Sequence, residues 1–174
     1  MSKLKPASSS THHFTHITTN ILKQKSPKTK QQQHPCENAD RCRENRAVRI
    51  ECPPPEYEHC NNCNIRNDNM APNKIIDTPG KGYCLAYNGT HPLPPHSHIG
   101  TYRGIMISQP QYNKIDRLRH PDTPFYTLDL GNKFYINAEH YGNNTRYINN
   151  SCNPNCRYET WSAQGLTEAV IIRQ

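Results

Sequence analysis

Long apolar runs are missing from this sequence of 174 residues: hydrophobic residue types make up 33%, with one tryptophan and three phenylalanines. Mean hydropathy is -0.98. No stretch approaches the roughly 20 apolar residues of a membrane-crossing helix. The basic start is followed by no apolar segment of the kind that directs secretion. No membrane contact is therefore expected. A core filling the whole chain is excluded as well, because 15 prolines accompany the low apolar content; much of the chain is expected to be irregular or stapled. Acids are absent from residues 1–35, which carry Lys3, Lys5, Lys23, Lys25, Lys28 and Lys30 among Ser, Thr, His and Gln. This part reads as a disordered basic arm. Its lysines suit nucleic acid or another polyanion by neutralising phosphates, or else form a solvated tail with no specific partner.

Cysteine is plentiful, with eight residues. Without a secretory leader, metal thiolates are favoured over disulfides. Cys36, Cys42, Cys52, Cys60 and Cys63 are crowded together, and such soft ligands suit tetrahedral zinc. The two-residue gap of Cys60-Asn-Asn-Cys63 lets both thiolates face one ion. Zinc would supply folding energy that Pro53-Pro54-Pro55 and the scarce apolar residues cannot. His12, His13 and His16 lie in a Thr-rich context read as polar tail.

The most informative stretch runs from Tyr141 to Cys156: Tyr-Gly-Asn-Asn-Thr-Arg-Tyr-Ile-Asn-Asn-Ser-Cys-Asn-Pro-Asn-Cys. It has too little apolar content for a core element and is rich in residues that steer the backbone and bond at close range. Read alone, it is a solvated loop or a set of glycosylation acceptors. As a whole it resembles the signature of SET-domain protein-lysine methyltransferases, Gly-Asn-x-x-Arg-Phe-x-Asn-His-Ser-Cys-x-Pro-Asn-Cys. Gly142, Asn143, Arg146, Tyr147, Asn149, Ser151, Cys152, Pro154, Asn155 and Cys156 carry the match.

The spacing of Cys36, Cys42, Asn45, Arg46 and Cys52 is similar to that of the AWS module, which precedes the SET domain in the nuclear-receptor-binding SET and absent-small-homeotic types of histone methyltransferase. That module generally holds two zincs on seven cysteines and begins with a Cys-x-Cys pair, where this chain has Lys, Gln and His. One four-thiolate site is therefore expected, with the fifth cysteine left over or assisted by His34 or His59.

The resemblance implies S-adenosylmethionine as methyl donor, structural zinc, a histone H3 tail or nucleosome as partner, and a nuclear, chromatin location. It places Gly80, Lys81, Gly82, Phe125, Tyr126, Arg146, Asn149 and Asn150 at the cofactor, and Tyr102, Tyr126 and Tyr158 at the target amine. Departures are visible. Thr101 and Ile105 replace the acids of Glu-Tyr-x-Gly-Glu around Tyr102 and Gly104, Asn137 stands for Asp in Ile-Asp-Ala, and Asn150 replaces the histidine. The family's Gly-Glu-Glu-Leu-x-x-Asp-Tyr and cysteine-rich post-SET segments would follow Gln174, and without the latter Cys152 is expected as a small buried thiol.

From the residues themselves, strands are expected over Ile99–Ser108, Phe125–Leu130 and Phe134–Ala138, and a last hairpin around Gln164-Gly165. Residues 109–123 read as a short helix or long loop. The expected fold class is α+β, mainly short β-strands. The expected domains are a disordered arm over 1–35, an AWS-like zinc module over 36–72, and over 73–174 a SET β-fold lacking its C-terminal segment. The implied activity is histone-lysine N-methylation, as a fragment or degenerate copy; the alternative is a catalytically inactive, chromatin-binding paralogue.

Overall fold

The computed structural model describes residues 13–22, 35–54, 58–121 and 123–174. The chain enters with two short strands, β1 (Thr15–His16) and β2 (Ile21–Leu22). Residues 13–22 therefore do not form part of a structureless arm. The Thr-rich run that argued for a polar tail is also β-branched and extends readily. The remainder of the expected arm up to His34 lies outside the described residues.

Helix α1 (Ala39–Ala47) begins where the Asn38 side chain accepts a hydrogen bond from Arg41 N at 2.9 Å. It buries only Cys42 and Asn45. Strands β3 (Asn73–Thr78) and β4 (Gly82–Tyr87) form an antiparallel hairpin of their own. Gly80 and Gly82 at its turn have φ of +78° and +70°, which L side chains avoid.

The expected strand over Ile99–Ser108 is two strands, β5 (His98–Tyr102) and β6 (Ile105–Ser108), which belong to different sheets. They part at Arg103-Gly104. A Cβ on Gly104 would lie 2.4 Å from Asn137 O, so only glycine lets the two backbones approach this closely.

Helix α2 (Gln109–Leu118) follows, with Pro110 in its first turn and Gln111 Oε1 accepting from Ser108 N at 2.9 Å. Strands β7 (Thr127–Gly131) and β8 (Phe134–Asn137) pair through Asn132 and Lys133, whose φ of +52° and +65° suit a tight hairpin. Strand β9 (Tyr141–Gly142) leads into a 3-10 turn over Asn144–Tyr147. Strands β10 (Cys156–Ala163) and β11 (Leu166–Arg173) close the fold around Gln164-Gly165.

Among the described residues four small sheets result, with strand orders β1-β9, β10-β11-β5, β2-β6-β8-β7 and β3-β4. β1 and β2 both pair in parallel, against β9 and β6. β11 separates two cores, as the alternation of side chains along a strand requires. Ala169 packs with Tyr102, Met106, Leu130, Ile136 and Ala138, while Val170 and Ile172 pack with Ile65, Trp161 and Ala163. Ile65 brings the cysteine-rich segment onto the second core, and the bridge Ile50–Ser162 adds it to the edge of β10. The expected α+β class holds, with short strands dominating.

Candidate functional site

Two sites emerge on this scaffold, one of thiols and one of aromatic rings. In the first, the sulfurs of Cys36, Cys42, Cys52 and Cys60 all lie within 4.8 Å of one another. Four thiolates about 2.3 Å from one zinc ion stand roughly 3.8 Å apart. The separations of Cys60 from Cys36 and Cys42, 3.5 and 3.8 Å, meet that requirement. Burial, followed by the hydrogen bond with Cys52, raises the Cys36 thiol to about 11, and burial also raises Cys60. Cys52 goes the other way: burial pushes it up, but the Asn45 and Asn62 side-chain amides, donating at 3.4 and 3.3 Å, bring it below its ordinary value. Such a crowd of sulfurs ionises together only around a cation. The donor set fits zinc.

Cys63, also expected as a ligand, stands outside the four. Its sulfur lies 3.9 Å from Cys60 O, along its own turn, and is not among the four grouped sulfurs. His59 is exposed and outside the group too, and His34 lies outside the described residues.

The second site is built around Arg146, which is only 4% exposed. Its guanidinium carbon lies 3.8 Å from the Tyr126 ring centroid, 4.4 Å from that of Phe14 and 5.3 Å from that of Tyr147. Nη2 donates to Glu139 O at 3.1 Å, while Nε and Nη1 are buried without a hydrogen-bond acceptor. Aromatic faces take the place of acceptors for this cation.

The cluster extends in both directions. Tyr147 meets Tyr83 edge-on at 6.0 Å, next to the Gly82 turn, and Tyr126 O accepts from the Tyr102 hydroxyl at 2.9 Å. Burial raises the pKa of both Tyr102 and Tyr126 above the ordinary phenol value, so these hydroxyls remain protonated donors. The signature is held to β5 by Asn143, which is fully buried. Its Nδ2 donates to Thr101 O at 2.9 Å, and its Oδ1 accepts from Thr145 N at 3.2 Å, opening the 3-10 turn that presents Arg146 and Tyr147.

Among the expected site residues, Tyr102, Tyr126 and Arg146 are thus brought together, and Gly80, Lys81 and Gly82 form the exposed turn beside Tyr83. The space around both glycines is open. Phe125 is 47% exposed beneath Arg119 and has no ring contact with Arg146 among the described residues. Asn149 donates to Cys84 Sγ at 2.7 Å and to Tyr83 O at 3.4 Å, tying the signature to the β3-β4 hairpin. Asn150 is exposed. Tyr158, on β10, is 49% exposed and has no ring contact with this cluster among the described residues. Cys152, expected to be buried, is exposed. Sequence reasoning missed Phe14, Tyr83 and Tyr147 as members of the cluster. Tyr147 carried a signal, since it stands at an aromatic position of the signature; Phe14 carried none.

Two clefts flank the cluster and share no lining residue. One, of about 440 Å³, runs past Cys84, Leu85, Ile148, Asn149 and Cys156; the other, of about 410 Å³, is lined by Leu118, Phe125, Tyr126 and Glu139.

The structure is thus a small α+β domain in which a four-cysteine group able to hold a metal ion is set apart from an aromatic cluster around Arg146. The chain belongs to the SET-domain family, whose model matches residues 18–173. It is 29% identical over 133 residues to "Histone-lysine N-methyltransferase ash1" of Drosophila melanogaster, covering 74% of this chain and 6% of that protein. It is 32% identical over 126 residues to "Histone-lysine N-methyltransferase, H3 lysine-36 specific" of Cryptococcus neoformans var. neoformans serotype D, covering 67% and 14%. With "Histone-lysine N-methyltransferase SETD2" of Homo sapiens it shares 28% over 125 residues, covering 70% and 5%. The chain thus corresponds to a small fraction of the length of these relatives.

Proposed function

We propose that this chain is a protein-lysine methyltransferase domain that moves a methyl group from S-adenosylmethionine to a lysine of histone H3, on nucleosomes in the nucleus, with an AWS-like zinc module as structural support. The carrying observation is the continuous run of contacts Tyr83–Tyr147–Arg146–Tyr126–Tyr102, which links the glycine turn to the strand tyrosine between two separate clefts. Bound S-adenosylmethionine supplies an electrophilic methyl group. The residues fit it: the Gly80–Gly82 turn has room for close backbone approach, and the neighbouring signature gives polar groups at Asn149.

In-line transfer needs alignment and a neutral amine. The cleft beside Tyr126 would take the lysine side chain, with Arg146 packed on the Tyr126 ring and Glu139 in the lining. Tyr102 holds the Tyr126 carbonyl, fixing that wall of the cleft. The four thiolates take no part in this chemistry.

Calorimetric titration of the zinc-loaded chain with S-adenosylmethionine, followed by transfer of labelled methyl to H3 peptides and nucleosomes, tests the reading. Micromolar binding with label on a histone lysine is the expected result. A folded chain that neither binds the cofactor nor its demethylated product overturns it.

One observation favours the non-catalytic alternative. The Tyr102 hydroxyl is buried and committed to a backbone carbonyl, and Tyr158 stands apart, so the target amine would find fewer hydroxyls than expected. Histone-tail binding without methyl transfer would decide for it. Binding of nucleic acid by the lysines before Pro35 is proposed as an accessory role, marked by an affinity that falls steeply with salt.

A further inference from the structure

We propose that residues 14–20 are a strap that positions Arg146, with Phe14 and Asn20 as positioning residues for the candidate site. The strap crosses the signature and then the break between β5 and β6. Thr15 N donates to His140 O and Ile17 N to Gly142 O, both at 2.8 Å, so the strap lies along β9 just ahead of the Arg146 turn. At its far end Asn20 makes two bonds to separate parts of the fold. Its Oδ1 accepts from Gly104 N at 2.9 Å, and its Nδ2 donates to Glu168 Oε2 at 2.7 Å. Ile21 N then donates to Gly104 O at 3.0 Å, which completes the seam beside Tyr102.

The near end carries the consequence. Phe14 lies over the Arg146 guanidinium at 4.4 Å and meets the Tyr147 ring edge-on at 6.0 Å. Arg146 Nε and Nη1 have no hydrogen-bond acceptor, so its place is set by Glu139 O and by the rings around it. Among the described residues, Phe14 is the one ring on Arg146 that comes from outside the signature and the β7 approach. Without it, Arg146 loses an aromatic face and gains a path to water. The side chains of Tyr126 and Tyr147, which stack on the same cation, then lose their common support. A packing role alone asks only for an apolar group of similar volume, whereas holding the cation asks for a π face.

The pair Phe14→Leu and Phe14→Tyr separates these, in the full, zinc-loaded chain labelled with nitrogen-15. The Arg146 Nε–H resonance, identified by its loss in Arg146→Lys, is expected to be shifted by the rings and slow to exchange with water. Phe14→Leu should accelerate that exchange about tenfold, the order of one cation–π contact, with an unchanged melting midpoint, and Phe14→Tyr should restore it. An Arg146 signal that is unmoved in Phe14→Leu, or equally lost in both variants, overturns the proposal.

The effect on the reaction rests on the methyl-transfer reading given above and is measured separately. Phe14→Leu and Asn20→Ala should lower kcat more than they raise KM for the peptide, with Phe14→Tyr near the parent. A parent chain that binds no S-adenosylmethionine defeats the methyl-transfer reading, and the nitrogen-15 measurement still decides the strap. If transfer is present and neither variant alters kcat, the strap has no positioning role.

Discussion

Replacing Arg103 with leucine tests the junction on which the whole fold depends. Arg103 is 2% exposed, and its guanidinium serves three partners: Glu168 Oε2 at 3.0 Å, Asp68 Oδ1 at 3.3 Å and Ile65 O at 2.8 Å. Two of these belong to the segment after the cysteine cluster and one to β11. Removing the cation leaves Glu168, 7% exposed, facing no positive charge, and strips the Ile65 carbonyl of a donor. The expected cost is about 3–5 kcal/mol, the range for breaking one side of a buried pair, against a total stability of roughly 5–15 kcal/mol. Urea unfolding at pH 7 in saturating zinc, followed by Trp161 fluorescence, measures it. The double variant Arg103→Leu with Glu168→Leu should recover about half of the loss, because the stranded charge is then gone. Burial already raises the Glu168 carboxyl against the pull of Arg103. Without Arg103 it rises further and takes a proton more readily than the unfolded chain does, so the cost should be smaller at pH 5 than at pH 7. A single-variant cost below about 1 kcal/mol, or a double variant as costly as the sum of its parts, refutes this account of Arg103.

Other perturbations read other parts of the fold. His98 is pushed down to about 4, first by burial and then by the charges of Arg103 and Arg46. The unfolded chain therefore binds the proton first, and as pH falls from 6.5 to 4 about 3 kcal/mol of stability should disappear; His98→Gln should flatten that limb of the stability profile. Glu159 behaves as an acid lowered overall: burial raises it, but the Trp161 indole and Arg157 outweigh this. Its contribution is present above its unfolded value and is lost as pH falls through the folded one, so Glu159→Gln should destabilise by up to about 1 kcal/mol at pH 7 and by much less at pH 3. Zinc analysis should give one ion per chain, retained by Cys63→Ser and lost in Cys36→Ser. Gly104→Ala forces a methyl against Asn137 O and should cost at least about 2 kcal/mol by thermal melting.

Much of this was legible where chemistry is local. The signature reads directly because its asparagines and arginine act within a few residues of themselves: Asn143 caps its own turn and Arg146 rises from that turn. The hairpins at Asn132-Lys133 and Gln164-Gly165 were equally plain, because turn residues announce them. Four of the five clustered cysteines meet, but a two-residue gap permits a shared ion without requiring one, and Cys63 is not among the four. The break at Arg103-Gly104 was hidden because strand-forming residues stand on both sides of it; the reason lies in Asn137, on another strand. Tyr158 falls at a suggestive distance from the signature, yet strand register decides which face it takes, and it points to solvent. The β1-β2 segment was least legible of all, because its partners lie at the other end of the chain.

That distance sets the order in which the protein can assemble. Asn20 bonds to a residue 148 positions later, and its other contact is 84 positions away, whereas the hairpins and the thiol cluster close over short loops. Closing long loops costs entropy before any contact repays it, so the local units form early and the long-range seam forms late. During synthesis at roughly 5–20 residues per second, the Phe14–Asn20 segment leaves the ribosome on the order of 10 s before Glu168 exists to receive it. The segment made before all the other described elements thus completes its contacts last, and a chain halted before β11 would have its earlier hairpins and thiols in place while Asn20 still lacked its Glu168 partner.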